Sequence, residues 1–208
     1  YTTLFRSKNG RGGRCFLLLV VAVALIAQAG ALSAGWIWDD NDYITANRVV
    51  QSHDGWLTLW IPGSTPQYYP LVFMGFWIEF GVAGVDPLLY HLNNMLLHAG
   101  SAWLLWRILT LMRVPQAIWI AMVFAAHPMG VETVAWATER KNTQSLFLAL
   151  ASVLCFIHAD RAGERRVLGF HIAAFVLFVC ALLSKTTAVF VAPVLVMIAL
   201  HERRTIRA

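Results

Sequence analysis

Apolar residues run along this chain in long blocks, and polar residues gather where the blocks end. Six blocks have the length or composition of membrane-embedded helices: 15–36, 87–111, 116–127, 143–158, 167–184 and 186–200. The second opens with Asp86-Pro87, an N-cap followed by a first-turn proline. A basic lead holding Arg11 and Arg14 precedes the first block, as in a signal peptide. No small-residue cleavage site stands before the aspartates that follow, so an uncleaved span is expected. The pattern predicts an all-α fold, a polytopic membrane helix bundle of about six spans.

Residues 37–86, between the first two blocks, do not read as an ordinary loop. Phe73, Phe76, Trp77 and Phe80 share one helical face, and Trp56 and Trp60 share another. Short helices lying along the outer membrane interface are expected here, with core packing beneath a cap as the alternative. Either arrangement puts a lid or floor beside "WDDND" (38–42), where three aspartates follow a membrane-like run.

The third block is informative because it is short. At 1.5 Å per residue, 116–127 covers roughly 18 Å of a hydrocarbon core about 30 Å thick. "HPMGVETVAWATERKN" (127–142) therefore begins below the outer surface, where polar backbone needs protein or water around it. A recessed, charged pocket is expected, holding His127, Glu132, Glu139, Arg140 and Lys141 and facing Asp39 and Asp40. A continuous helix there would put Glu132, Trp136 and Arg140 on one face.

Composition agrees with a membrane protein. Hydrophobic residues make up 59% and charged residues 13% of the chain, against about 25% charged in soluble domains. The net charge of +5 is scattered between apolar runs and forms no nucleic-acid patch. Cys15, Cys155 and Cys180 lie in apolar runs without metal-ligand spacing, so neither a metal site nor a disulfide is expected. Residues 1–7 read as a translated sequencing adapter and 1–14 as artefact plus cytoplasmic lead. The chain is expected to be a fragment: 15–202 is the N-terminal part of a membrane domain and 203–208 a truncated cytoplasmic end.

Charge orients the spans. With the N-terminus in the cytoplasm, the inner loops hold Arg107, Arg113, Arg161, Arg165, Arg166, Arg203, Arg204 and Arg207, a positive-inside pattern. The outer segments keep only Arg48, Arg140, Lys141 and Lys185. Lys185 sits between two apolar runs, where an unpaired charge is expensive. An anionic partner, such as an acidic side chain, or an upward snorkel is expected. Arg140 and Lys141 read, by themselves, as charged residues at a helix start, partners of Glu139 or Glu132. His91, Asn94 and His98 share a face of the second span, and hydrogen bonding between helices is their expected role.

"WDDNDYITAN", "YYPL" (68–71), "YHLNNMLLH" (90–98), "HPMGVETVAWATERKN" and "LLSKTTAVFVAPVL" (182–195) occur in this order. Together they resemble the N-terminal membrane region of the transmembrane and tetratricopeptide-repeat protein O-mannosyltransferases and their bacterial relatives, which are GT-C glycosyltransferases. Many eukaryotic members have Arg where Tyr69 stands, and members carry further spans and repeats that this chain lacks. The resemblance implies transfer of a sugar from a polyprenyl-phosphate donor in the membrane to an acceptor protein hydroxyl on the outer face. It implies Asp39 as the base and Asp40 as its helper, or as a ligand if a divalent cation takes part. The donor phosphate would meet Arg140, Lys141 and Lys185, while Asp42, Tyr68, Tyr69, His91, Asn94, His127, Glu132 and Trp136 would line the pocket. The expected location is a bacterial inner membrane rather than the endoplasmic reticulum. Other readings are a GT-C enzyme acting on a lipid or glycan, a transporter and a non-catalytic scaffold; the aspartates themselves could simply end a helix in solvent.

Overall fold

The computed structural model describes residues 10–161 and 164–207, with side chains described for 15–159 and 166–200. The adapter-like residues 1–7 lie outside it. Among the described residues there are ten α-helices and no strand. They are α1 (Gly10–Ala27), α2 (Arg48–Gln51), α3 (Gly55–Thr58), α4 (Pro70–Ala83), α5 (Pro87–Leu111), α6 (Ala117–Ala126), α7 (Met129–Ala135), α8 (Arg140–Arg161), α9 (Glu164–Ser184) and α10 (Val191–Arg207). The expected all-α membrane bundle is the architecture observed.

Two segments, Ala137–Ala159 and Arg166–Ser184, are long and apolar enough to cross a membrane, and α6 with α7 forms a third if that bent pair is one span. Six spans are more than these segments establish. Shorter apolar helices cover Cys15–Ala27, Pro70–Ala83 and Thr186–Leu200. At 25 residues α5 is about 37 Å long, but its polar residues reduce its hydropathy.

Three elements build one core. Val20 and Ala24 of α1, Ala102 and Trp106 of α5, and Ile118 and Ala121 of α6 bury one another. A second core joins Ile108 of α5, Val153 and Ile157 of α8, and Ile198 of α10. Small residues bring the helices close, as membrane packing favours: a Cβ on Gly100 would lie 2.7 Å from the Phe147 ring.

The segment 37–86 forms a cap with its own core of Tyr43, Ile44, Val50, Leu59, Val72, Phe73 and Phe76, seated on Tyr90 of α5. The α4 stripe is thus turned inward at Phe73 and Phe76, which is the packing alternative. Trp56, Leu57, Trp60 and Ile61 remain exposed. Gly55 is required at its position, because a Cβ there would meet the Val49 carbonyl oxygen at 1.8 Å.

The short third block ends as its sequence dictates. Pro128 has no N–H to continue the helix, and the α6 and α7 axes differ by 57°. His98 Nε2 donates to the Ala125 carbonyl at 3.2 Å, and the Met129 N–H donates to His127 Nδ1 at 3.2 Å. The continuous helix considered over 132–140 is not formed. It breaks at Trp136, whose backbone is extended, and a 3-10 turn at Ala137–Glu139 leads into α8. Glu132 is left exposed while Arg140 is buried.

Candidate active site

The segment after the first apolar block is fixed by its own side chains, which reach the loop before α5 and the turn before α8. Trp36 Nε1 donates to the Val85 carbonyl at 3.0 Å. Trp38 follows with φ +47°, a left-handed conformation rare for a bulky residue. Asn41–Thr45 then forms a π-helical turn, closed by the Ala46 N–H on the Asn41 carbonyl at 2.8 Å. Such turns often accompany functional sites.

Asp39 and Asp40 have opposite surroundings. Asp40 is fully buried. Its Oδ2 accepts from the Ile37 N–H at 3.0 Å, and its Oδ1 accepts from the Thr138 N–H at 2.9 Å and from the Thr138 hydroxyl. This carboxylate ties the start of the cap to the turn before α8. Asp39 is half-buried, and its Oδ1 is shielded from solvent without a hydrogen-bond partner. Its backbone carbonyl accepts from the Tyr43 N–H at 3.1 Å. Burial, then the charge of Asp39, push the Tyr43 phenol well above its ordinary range, so Tyr43 is neutral beside it.

Arg140 is a structural cation. It pairs with Glu79 at 2.7 Å, the two side chains being 3% and 5% exposed. It also donates to the Tyr90 carbonyl at 2.8 Å and to Asn94 Oδ1, and it lies over the Phe76 ring at 5.3 Å. These contacts occupy Nε, Nη1 and Nη2, and the group is closed off from solvent. Expected as a phosphate ligand, Arg140 instead fastens α4 and α5 to the start of α8. Asn94 completes this junction by donating to the Trp136 carbonyl at 3.0 Å.

Lys141 and Lys185 are joined through two other residues. Lys141 meets Glu139 at 3.1 Å and lies over the rings of Tyr43 and Trp136 at 5.5 and 5.6 Å. Asn142 donates to Glu139 and accepts from Lys185. Lys185 follows α9 directly and stands at the polar end of a groove of about 430 Å³, lined mainly by apolar residues including Leu146, Leu150 and Val191. A second cavity of about 560 Å³ is lined by His98, His127, Gly130 and Thr143 among others.

The remaining candidates scatter. Asp42 is exposed, and its carbonyl accepts from Asn47. Tyr68 is exposed, while Tyr69 is half-buried against the cap core. His127 and Glu132 are exposed, Trp136 is half-buried, and His91 is fully buried with both ring nitrogens unpartnered. Among the described residues no group of three or more His, Cys, Asp or Glu could hold a metal ion. Trp38, Glu79, Thr138 and Asn142 were not singled out in the sequence. Only Glu79 left a trace there, as the lone charge in an aromatic-rich run.

No protein-family model matches the chain, and no solved structure does. Curated proteins do. The chain is 31% identical to protein O-mannosyl-transferase Tmtc1 of Drosophila melanogaster over 184 residues, 81% of this chain and 21% of that protein. It is 30% identical to protein O-mannosyl-transferase Tmtc2 of the same fly, over 83% of this chain and 20% of that protein. Human protein O-mannosyl-transferase TMTC2 is 28% identical over 83% of this chain and 22% of its own length. The chain thus spans about a fifth of the length of the curated relatives it matches. Along most of its own length it resembles the protein O-mannosyl-transferases.

Proposed function

We propose that this chain carries the acceptor-activating and phosphate-binding part of an integral membrane glycosyltransferase. It would pass a sugar from a polyprenyl-phosphate donor to a protein hydroxyl on the outer face of a bacterial inner membrane. The observations that carry the reading are that Asp39 keeps a shielded carboxylate oxygen without a partner, and that Lys141 and Lys185 are joined through Glu139 and Asn142, with Lys185 at the head of an apolar groove. A polyprenyl chain needs such a groove, and its phosphate needs cations at the groove mouth.

In the proposed step, Asp39 takes the proton from the acceptor hydroxyl as its oxygen attacks the anomeric carbon. The bond from that carbon to the phosphate oxygen breaks, and the bonding pair leaves with the polyprenyl phosphate. Lys141 and Lys185 stabilise the charge that grows there. Asp40 holds the base in place rather than assisting the proton transfer. A divalent cation, if one takes part, has Asp39 as its available ligand, because Asp40 already accepts three hydrogen bonds.

The test is transfer from a panel of labelled polyprenyl-phosphate sugars by the complete reading frame in membranes, comparing wild type with Asp39→Asn and repeating the assay with a chelator. The reading expects transfer by wild type and at least a hundredfold loss in the variant. Equal transfer by both removes Asp39 from the base role. Transfer to lipid or glycan acceptors alone would favour the neighbouring GT-C chemistry. Absence of donor binding would favour a transporter or scaffold.

A further inference from the structure

Two aromatic rings in contact link the residue before Asp39 to Lys141. Trp38 precedes Asp39 in the chain. Trp38 is 71% exposed, and its ring meets the Trp136 ring edge-on, with centroids 4.6 Å apart. The Lys141 ammonium lies 5.6 Å above the Trp136 ring. The Trp136 indole Nε1 is shielded from solvent and has no acceptor, although its backbone carbonyl is engaged by Asn94. Buried indole N–H groups ordinarily find a partner.

The proposed displacement dictates what lies between Asp39 and Lys141. The attacking and departing oxygens occupy opposite faces of the anomeric carbon, so the sugar ring sits between the base and the cation that holds the phosphate. A pyranose has apolar C–H faces that stack on indoles and a rim of hydroxyls that accept from N–H donors. An exposed indole face together with an unpartnered indole N–H offers both kinds of contact.

We propose that Trp38 and Trp136 form the recognition site for the sugar ring of the donor, Trp38 by stacking and Trp136 by donating its Nε1–H to a sugar hydroxyl. This rests on the reading of Asp39 as base and Lys141 as phosphate ligand, and adds to it the part of the site that tells a glycosylated carrier from a bare one. The backbone at Trp38 is left-handed and the residue is exposed. Glycine accepts that conformation without a steric penalty, so Trp38→Gly removes the ring while suiting the backbone. Trp136→Phe keeps a ring and removes the N–H.

The experiment measures equilibrium binding of radiolabelled lipids to the complete protein in nanodiscs. The probes are polyprenyl phosphates bearing mannose, glucose or galactose, and the same polyprenyl phosphate without sugar. Wild type is expected to bind at least one glycosylated lipid tenfold or more tightly than the bare lipid. Both variants should lose that preference while binding the bare lipid within twofold of wild type. Retained preference overturns the proposal, as does an equal loss for bare and glycosylated lipids, which would mark a structural role. A wild type that binds all four lipids alike also overturns it, while leaving the phosphate site in place. A wild type that binds none removes the donor reading itself.

Discussion

Two adjacent carboxylates share one sequence motif and differ in every contact. Asp40 accepts from two backbone N–H groups and a hydroxyl, whereas Asp39 keeps a shielded oxygen without a partner. Hydrogen bonds to a charged group are worth about 1.5–3 kcal/mol each. Asp40→Asn should therefore lower the thermal midpoint by several degrees, while Asp39→Asn leaves it within a degree or two and reduces transfer at least hundredfold, about 2.7 kcal/mol of barrier. Thermal unfolding and transfer assays on the same membranes separate the two roles, and equal midpoints would remove Asp40 from the anchoring role. Arg140 shows what charge position alone leaves open. Its place among the outer cations is visible in the sequence, but its partner Glu79 is 61 residues away. Breaking a buried pair costs about 3–5 kcal/mol, so Arg140→Gln should unfold the cap region, and Glu79→Gln added to it should restore part of the loss. A double-mutant cycle read by denaturation checks this; strict additivity would dissolve the pairing. Trp38 carries the reverse trade. A left-handed bulky residue costs roughly 1–3 kcal/mol, so Trp38→Gly should hold or raise stability as sugar recognition falls.

The elements were legible to the extent that local chemistry decides them. Asp86-Pro87 opens α5 with the Asp86 side chain accepting from Leu88, and Pro128 ends the short α6. The α4 stripe was read as a face, but periodicity does not say what covers a face. Lipid and protein interior are equally apolar, so the same stripe serves either. Trp136 lies in a stretch with no local reason to break; the contacts at the break come from Asn94 and from Asp40, the latter 98 residues from Thr138. His98 was read as a bond between helices, and the carbonyl it serves is one exposed by the α6 bend. Removing it in His98→Phe strands the Ala125 carbonyl, at about 1–3 kcal/mol. Hydrogen exchange should accelerate in α6 and α7 before the α8–α9 pair, and uniform acceleration would deny this local role.

At the scale of the whole molecule, the positive-inside pattern places the cap outside, and labelling tests that proposal directly. In a variant without native cysteines, an impermeant maleimide should reach His53→Cys from the outer face and Arg113→Cys only after the membrane is opened. The reverse result would turn the molecule over and remove the outer-face site. The two grooves flanking Asn142 and Leu146 had no trace in the sequence, since they depend on how helices splay. On the proposed mechanism, the Glu139 carboxylate bears on product release. It already rests between Lys141 and the Asn142 amide that Lys185 grips, the place the proposal gives to the carrier's phosphate. At rest the enzyme would hold an internal stand-in for its own spent lipid, and that stand-in competes at every release. Glu139→Gln should tighten binding of bare polyprenyl phosphate several-fold, leave the first turnover intact, and slow all later ones as product accumulates.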